Sequence, residues 1–320
     1  MMDNVIREGL SFALPLFIMA IGGIYSERSG ITNLALEGLQ GTGAFVGALS
    51  AVLFRNLLGV DSQFVFYTAL FFAMVGGMLY SMLHGFLCIK WKANQVISGV
   101  VVNILAMSLT VFLTKVCNRI LFGAVSDRFV LGVSERWTIS EISNIPVLGA
   151  FFADRYSFEW IIVILAVVSW YVLYKTRYGL HLVACGDHPQ AVAAAGISVE
   201  KVRFIAVMIS GALSGLAGIS FAYSISANYS PGIYMGYGYL AIAAMIFGRW
   251  KITPTFFACL IFGFTRSLGY QLVEITGLPS SYSDLTMILP YAMTLFLLLF
   301  YSKNSEAPRA LGEIYDQGKR

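Results

Sequence analysis

Apolar stretches of membrane-crossing length recur along this chain from Leu10 to Tyr301, and no long polar domain interrupts them. A helix that crosses a hydrocarbon core of about 30 Å needs roughly 20 mostly apolar residues. Segments near 9–25, 34–54, 64–89, 96–117, 158–174, 203–224, 237–248, 254–273 and 285–301 meet or approach that length. Two of these nine are awkward. The stretch 237–248 is short, and 34–54 carries Glu37 and is broken by Gly38, Gly41, Gly43 and Gly47. Of the 320 residues, 58% are hydrophobic and 12% are charged, against about 25% charged in an average soluble domain. So few charges cannot cover a soluble globule, which excludes a soluble enzyme, a disordered chain and a nucleic-acid-binding domain. The pattern predicts an all-α, polytopic membrane protein with about nine segments in one transmembrane domain over 1–320.

Lysine and arginine set the orientation. The connections 90–95, 175–203 and 249–251, with the tail 302–320, carry most of them and fall on one side if the segments alternate. That side is read as cytoplasmic, which puts the 118–157 loop outside. Trp91 and Trp250, each between two cations, are expected as anchors at the headgroup level. Arg7 and Arg28 flank the first segment evenly and leave its direction open. The N-terminus lacks a basic region and a cleavage site, so it reads as the mature start. Cys88, Cys117, Cys185 and Cys259 are too far apart to suggest a disulfide framework or a metal site.

No nucleotide or catalytic motif is present. The one Gly-Lys pair, Gly318-Lys319, is not part of a P-loop, and neither HExxH nor GxSxG occurs. Polar residues inside apolar segments are therefore the functional candidates. Asn33, Glu37 and Gln40 recur at helical spacing, as do Gln95, Gly99 and Asn103. Two readings stand: a lining that hydrogen-bonds a polar solute, or polar glue between helices. For Glu37, the structural version is a pair with an arginine such as Arg28. Residues 29–38 (SGITNLALEG) are also echoed at 231–248 (PGIYMGYGYLAIAAMIFG), which suggests an internal repeat with glycine-interrupted segments along a transport path.

The connection 176–203 predicts a short helix on the cytoplasmic side. Asp187 is placed to cap it with Gln190 as the partner of a capping-box variant, Pro189 lies in the first turn, and Gly196 suits the αL residue at its end. Isolated helices this short are marginal in water, so it is expected to dock on something.

This connection resembles the coupling-helix region of ABC importer permeases. Ser26-Glu27-Arg28-Ser29-Gly30 followed by Asn33-Leu34-Ala35-Leu36-Glu37-Gly38 is similar to the signature of the nucleoside branch of the ribose/branched-chain-amino-acid permease family. Asn94 to Gly99, Tyr239 to Gly248 and Leu289-Pro290-Tyr291 extend the likeness over nearly the whole chain. The resemblance implies a permease subunit, the shorter of two, in a binding-protein-dependent importer for nucleosides, or failing that ribose-like sugars. It implies no catalysis and no cofactor of its own, ATP being bound by a partner ATPase. The other partners would be a second permease, an extracytoplasmic binding protein and the bilayer of a bacterial inner membrane. Asn33, Glu37, Gln40 and Asn103 would line the substrate path. Asp187, Pro189, Gln190, Ala193 and Gly196 would meet the ATPase. The rival classes are an ion-coupled secondary transporter, which would need more ionisable residues near the midplane, and a structural scaffold.

Overall fold

A computed structural model describes residues 2–58, 63–132, 136–138, 149–232, 235–277, 288–301 and 307–316. The chain is an all-α polytopic membrane protein. Seven helices among the described residues are long and apolar enough to cross a bilayer: α1 (Met2–Arg28), α2 (Leu36–Leu58), α3 (Gln63–Gly85, continued by a π-turn to Lys90), α4 (Gln95–Phe122), α5 (Ser157–Lys175), α8 (Val199–Ile225) and α10 (Ile252–Thr276). Between them lie the short helices α6 (Arg177–Asp187), α7 (Pro189–Ala194) and α9 (Tyr237–Phe247), and α11 (Leu289–Tyr301) follows. Of the nine expected segments, seven are thus membrane-length helices. The remaining two are the 11-residue α9 and the 13-residue α11, and 285–287 fall outside the described residues.

The helix ends follow local chemistry. Asn94 starts α4 by accepting from the amides of Val96 and Ile97, and Gly123 ends it at φ +69°. Helix α1 is buried along its apolar length and forms the centre with α8. Helices α2 and α3 pack on α8, while α5, α9 and α10 pack on α1. Small residues bring backbones close: a β-carbon at Gly47 of α2 would sit 2.6 Å from the Ala69 carbonyl of α3, the device membrane helices use when no water is left to expel. Helix α4 is the least covered and turns Val96, Ile97, Val101 and Ile104 outward.

The basic connections gather at one end. Arg28 Nε donates to the Trp250 carbonyl (3.0 Å), and Lys92 pairs with Asp316 (3.0 Å). Helix α1 therefore ends among the cations, while Arg7 at its start pairs with Asp154 (3.1 Å) at the opposite end. This resolves the direction that Arg7 and Arg28 left open. One of the two expected tryptophan anchors is corrected. Trp91 is exposed, but Trp250 is buried and donates its indole N–H to Glu27 (2.6 Å), because the 249–251 turn is pegged to the end of α1 rather than to a lipid surface.

The 118–157 loop is partly described. Its strand β1 (Phe129–Val130) pairs antiparallel with β4 (Asn228–Tyr229), and β2 (Arg136–Trp137) pairs with β3 (Arg155–Tyr156). These ladders tie the loop to the ends of α5 and α8. Glu135 and Glu141 of this loop lie outside the described residues, as do Lys303, Lys319 and Arg320 of the tail.

Candidate functional site

Two stretches of non-helical chain enter the bundle from opposite ends and meet inside it. The first, 29–35, leaves α1 at the basic end and turns into α2 at Leu36. The second precedes α9, whose 11 residues span only about 16 Å at 1.5 Å per residue. Since α9 ends at the basic turn 248–251, its N-terminus lies partway through the bundle. These are the two stretches whose sequences echo each other.

Glu37 joins them. Its carboxylate accepts from the amides of Gly236 (2.5 Å) and Gly238 (3.0 Å). The first amides of a helix lack intrahelical acceptors and carry the positive end of its dipole, so a carboxylate supplied from α2 satisfies the start of α9 from outside. Gly238 is required for the approach, since a β-carbon there would collide with the backbone of Glu37. Glu37 is thus paired with amides, and the expected partner Arg28 is engaged elsewhere.

Beside this joint lies a cavity of about 310 Å³ bounded by Glu37, Gly38, Gly41, Asn103, Met107, Thr110, Pro231, Met235 and Tyr239. Asn103 reaches in from α4. Its Oδ1 accepts from the Gly38 amide (2.8 Å), and its Nδ2 donates to the Leu34 carbonyl (2.7 Å) and the Tyr239 hydroxyl (3.3 Å). Met235 and Tyr239 are exposed, so the cavity opens on this flank. It presents a carboxylate, an amide and a phenol, with the hydroxyl residues Ser108 and Thr110, on otherwise small and apolar walls, a mixture typical of pockets for polar organic solutes.

Of the four residues expected along the path, the structure brings Glu37 and Asn103 to this cavity. Asn33 and Gln40 are fully buried away from it. Asn33 is not on α2 at all: its Nδ2 donates to Ser210 Oγ (2.9 Å) and its Oδ1 accepts from Ala35 (3.2 Å). The side-chain amide of Gln40 has neither its nitrogen nor its oxygen bonded. The stripe on α4 holds the chain entering α2. Gln95 accepts from the Thr32 amide (2.6 Å), Gly99 lies against Leu34 and Ala35, and Asn103 follows one turn on. His84 adds a contact to the Thr32 carbonyl (3.2 Å). Sequence reasoning missed Tyr239, Met235 and Gly41. The glycine was visible as one of the breaks in 34–54, whereas the other two needed the placement of 235–239.

At the basic end, α7 is the short helix expected in the connection 176–203, with one correction. Asp187 does not cap α7. It closes α6, and His188 (φ −144°, ψ 78°) occupies the cap position without a side-chain bond. The local Asp-to-Gln spacing is overridden because α6 runs on through Asp187. Gly196 ends the helix as expected at φ +79°, with Ile197 N–H bonding the Val192 carbonyl (3.2 Å) and Gly196 N–H that of Ala193 (3.0 Å), a Schellman pattern. Pro189 and Val192 are buried, Ala193 is half-buried, and Gln190, Ala191, Ala194 and Ala195 face outward.

Nothing lies within 4 Å of a β-carbon placed on Gly196, so a substitution there acts through φ alone. Gly196→Val should cost about 1–3 kcal/mol at this turn, with normal membrane insertion, and, if the turn meets a partner ATPase as the resemblance implies, should lower solute-stimulated ATP hydrolysis in the complete complex. Gly196→Asn should be nearly silent, since Asn tolerates αL. Equal rates for Gly196→Val and wild type would show that this turn bears no load.

The family described as branched-chain amino acid transport system / permease component matches residues 5–298. The chain is 36% identical to the guanosine ABC transporter permease protein NupQ of Bacillus subtilis (strain 168), over 99% of its own length and 97% of the relative's. It is 34% identical to the nucleoside ABC transporter permease protein NupC of Lactococcus lactis subsp. cremoris (strain MG1363), over 98% and 97%. With a second B. subtilis protein, the guanosine ABC transporter permease protein NupP, identity is 24% over 98% of this chain and 85% of the relative. No solved structure matches it. The chain belongs to the branched-chain amino acid transport system permease family, as one of its membrane-spanning components.

Proposed function

We propose that this chain is one of two permease subunits of an ABC importer for nucleosides in the cytoplasmic membrane of a bacterium. The observation that carries the reading is likeness over nearly the full length to two nucleoside permeases. Higher identity and fuller coverage with NupQ than with NupP support the role of the shorter subunit of a pair. The basic end is then cytoplasmic, and the face of α7 carrying Gln190 and its alanines seats on the ATPase. A binding protein outside delivers solute. Glu37 and Asn103 supply acceptors and the Tyr239 hydroxyl a donor for ribose hydroxyls or a base edge, and the flank opened by Met235 and Tyr239 is completed by the second permease. Asn33, in the segment entering α2, and Gln40, on α2, lie buried against α8 rather than along the path.

The test is reconstitution in liposomes with the ATPase, second permease and binding protein. Nucleoside uptake should require ATP on the basic-end side and ignore proton and sodium gradients. Uptake by this chain alone, driven by an ion gradient, would overturn the reading.

A further inference from the structure

Arg203, counted among the cytoplasmic charges, is only 2% exposed. Its guanidinium donates to three backbone carbonyls from three separate parts of the chain. Nε bonds Ser29 at the end of α1 (3.0 Å), Nη2 bonds Cys185 in the last turn of α6 (3.4 Å), and Nη1 bonds Glu313 (3.2 Å). Two of these carbonyls are at helix C-termini, where the dipole favours a cation, so the charge is held although, among the described residues, no carboxylate is hydrogen-bonded to it. A planar fork with five donors suits such a hub, and a lysine ammonium on a flexible stem does not.

The segment 307–316 crosses the same point as a strap. The amide of Ala310 donates to Gly186 (2.7 Å), that of Gly312 donates to Gly30 (3.1 Å), and Asp316 pairs with Lys92. The end of α6 also rests directly on α1, since a β-carbon at Gly186 would strike the Arg28 carbonyl. From Gly30 the chain is pinned at Thr32 by Gln95 and His84 and at Asn33 by Ser210, and it reaches Glu37 at the cavity.

We propose that Arg203 and the strap 307–316 form the joint that carries movement of α6 and α7 to the segment 29–35 and so to the seat of α9 on Glu37. Arg203 is a positioning residue: it touches neither solute nor nucleotide, and it makes the docking helices and the cavity rim move as one body. The inference rests on the importer reading. Contiguity alone does not establish coupling, so the test measures coupling itself.

The complete importer is reconstituted with wild-type chain, Arg203→Lys, a chain lacking 307–320, and the combination. Complex yield, basal ATP hydrolysis and solute imported per ATP are measured on each preparation. Yield and basal hydrolysis should stay within about twofold of wild type, while solute per ATP falls about tenfold or more in each single variant, a factor that corresponds to about 1.4 kcal/mol. The combination should be no worse than the more severe single variant, as for residues acting as a unit. Wild-type solute per ATP in the shortened chain would overturn the proposal, as would losses that merely track yield or multiply in the combination. Absence of ATP-driven uptake with the wild-type chain would instead refute the importer reading.

Discussion

Glu37→Gln should leave the complex assembled and reduce solute uptake by about tenfold or more. The carboxylate accepts from two amides at the start of α9. Glutamine can accept from one of them and must turn an N–H₂ group toward the other. Hydrogen bonds to charged groups contribute about 1.5–3 kcal/mol each, and the helix dipole loses its counter-charge as well. A loss of that size is small beside the packing of seven long helices, yet it shifts the seat of a short helix by one to two orders of magnitude in population. Glu37→Asp should behave alike, since a side chain one methylene shorter must give up part of the reach. Yield and uptake on the same preparation check this result. Uptake at the wild-type level in both variants would mean that α9 needs no anchor on α2.

Gly211→Val should have the opposite profile and abolish assembly. Gly211 of α8 and Gly77 of α3 face each other so closely that a β-carbon on either would collide with the carbonyl of the other, and Ser81 closes the remaining space. One turn on, Gly215 meets Gly43 and Ala73 in the same way. The obstructions are backbone, so no rotamer change relieves them, and the cost should exceed the usual 1–3 kcal/mol (about) of core overpacking. Complex yield is the readout, because no uptake can be assigned to a complex that does not form. Normal yield for Gly211→Val would contradict the helix arrangement itself.

What was legible in the sequence was local. Hydropathy located the spans, and Gly196 announced its αL turn because only a few residue types accept it. Spacing on α4 showed that Gln95, Gly99 and Asn103 share a face, but not that the face grips 32–38. The stripe Asn33, Glu37, Gln40 presumed a helix throughout, whereas 29–35 is non-helical and Asn33 belongs to the entry into α2. Asp187 carried a valid cap pattern that a longer α6 pre-empted. Trp91 and Trp250 each lie between two cations in sequence and have opposite surroundings, because Glu27 waits beside only one of them. Arg203 was the least readable. Its three acceptors are backbone carbonyls, and a carbonyl leaves no mark in a sequence.

The central claim, that solute passes through the cavity beside Glu37, is tested most directly at Gly41. This residue borders the cavity, and a β-carbon on it would meet nothing within 4 Å, so Gly41→Cys should fold and transport. In the reconstituted importer, a small water-soluble thiol reagent should then stop uptake by Gly41→Cys while the wild-type chain, treated in parallel, continues. Nucleoside delivered by the binding protein should slow that modification about tenfold or more, equivalent to about 1.4 kcal/mol of occupancy. Full uptake after complete modification of Gly41→Cys would contradict the account.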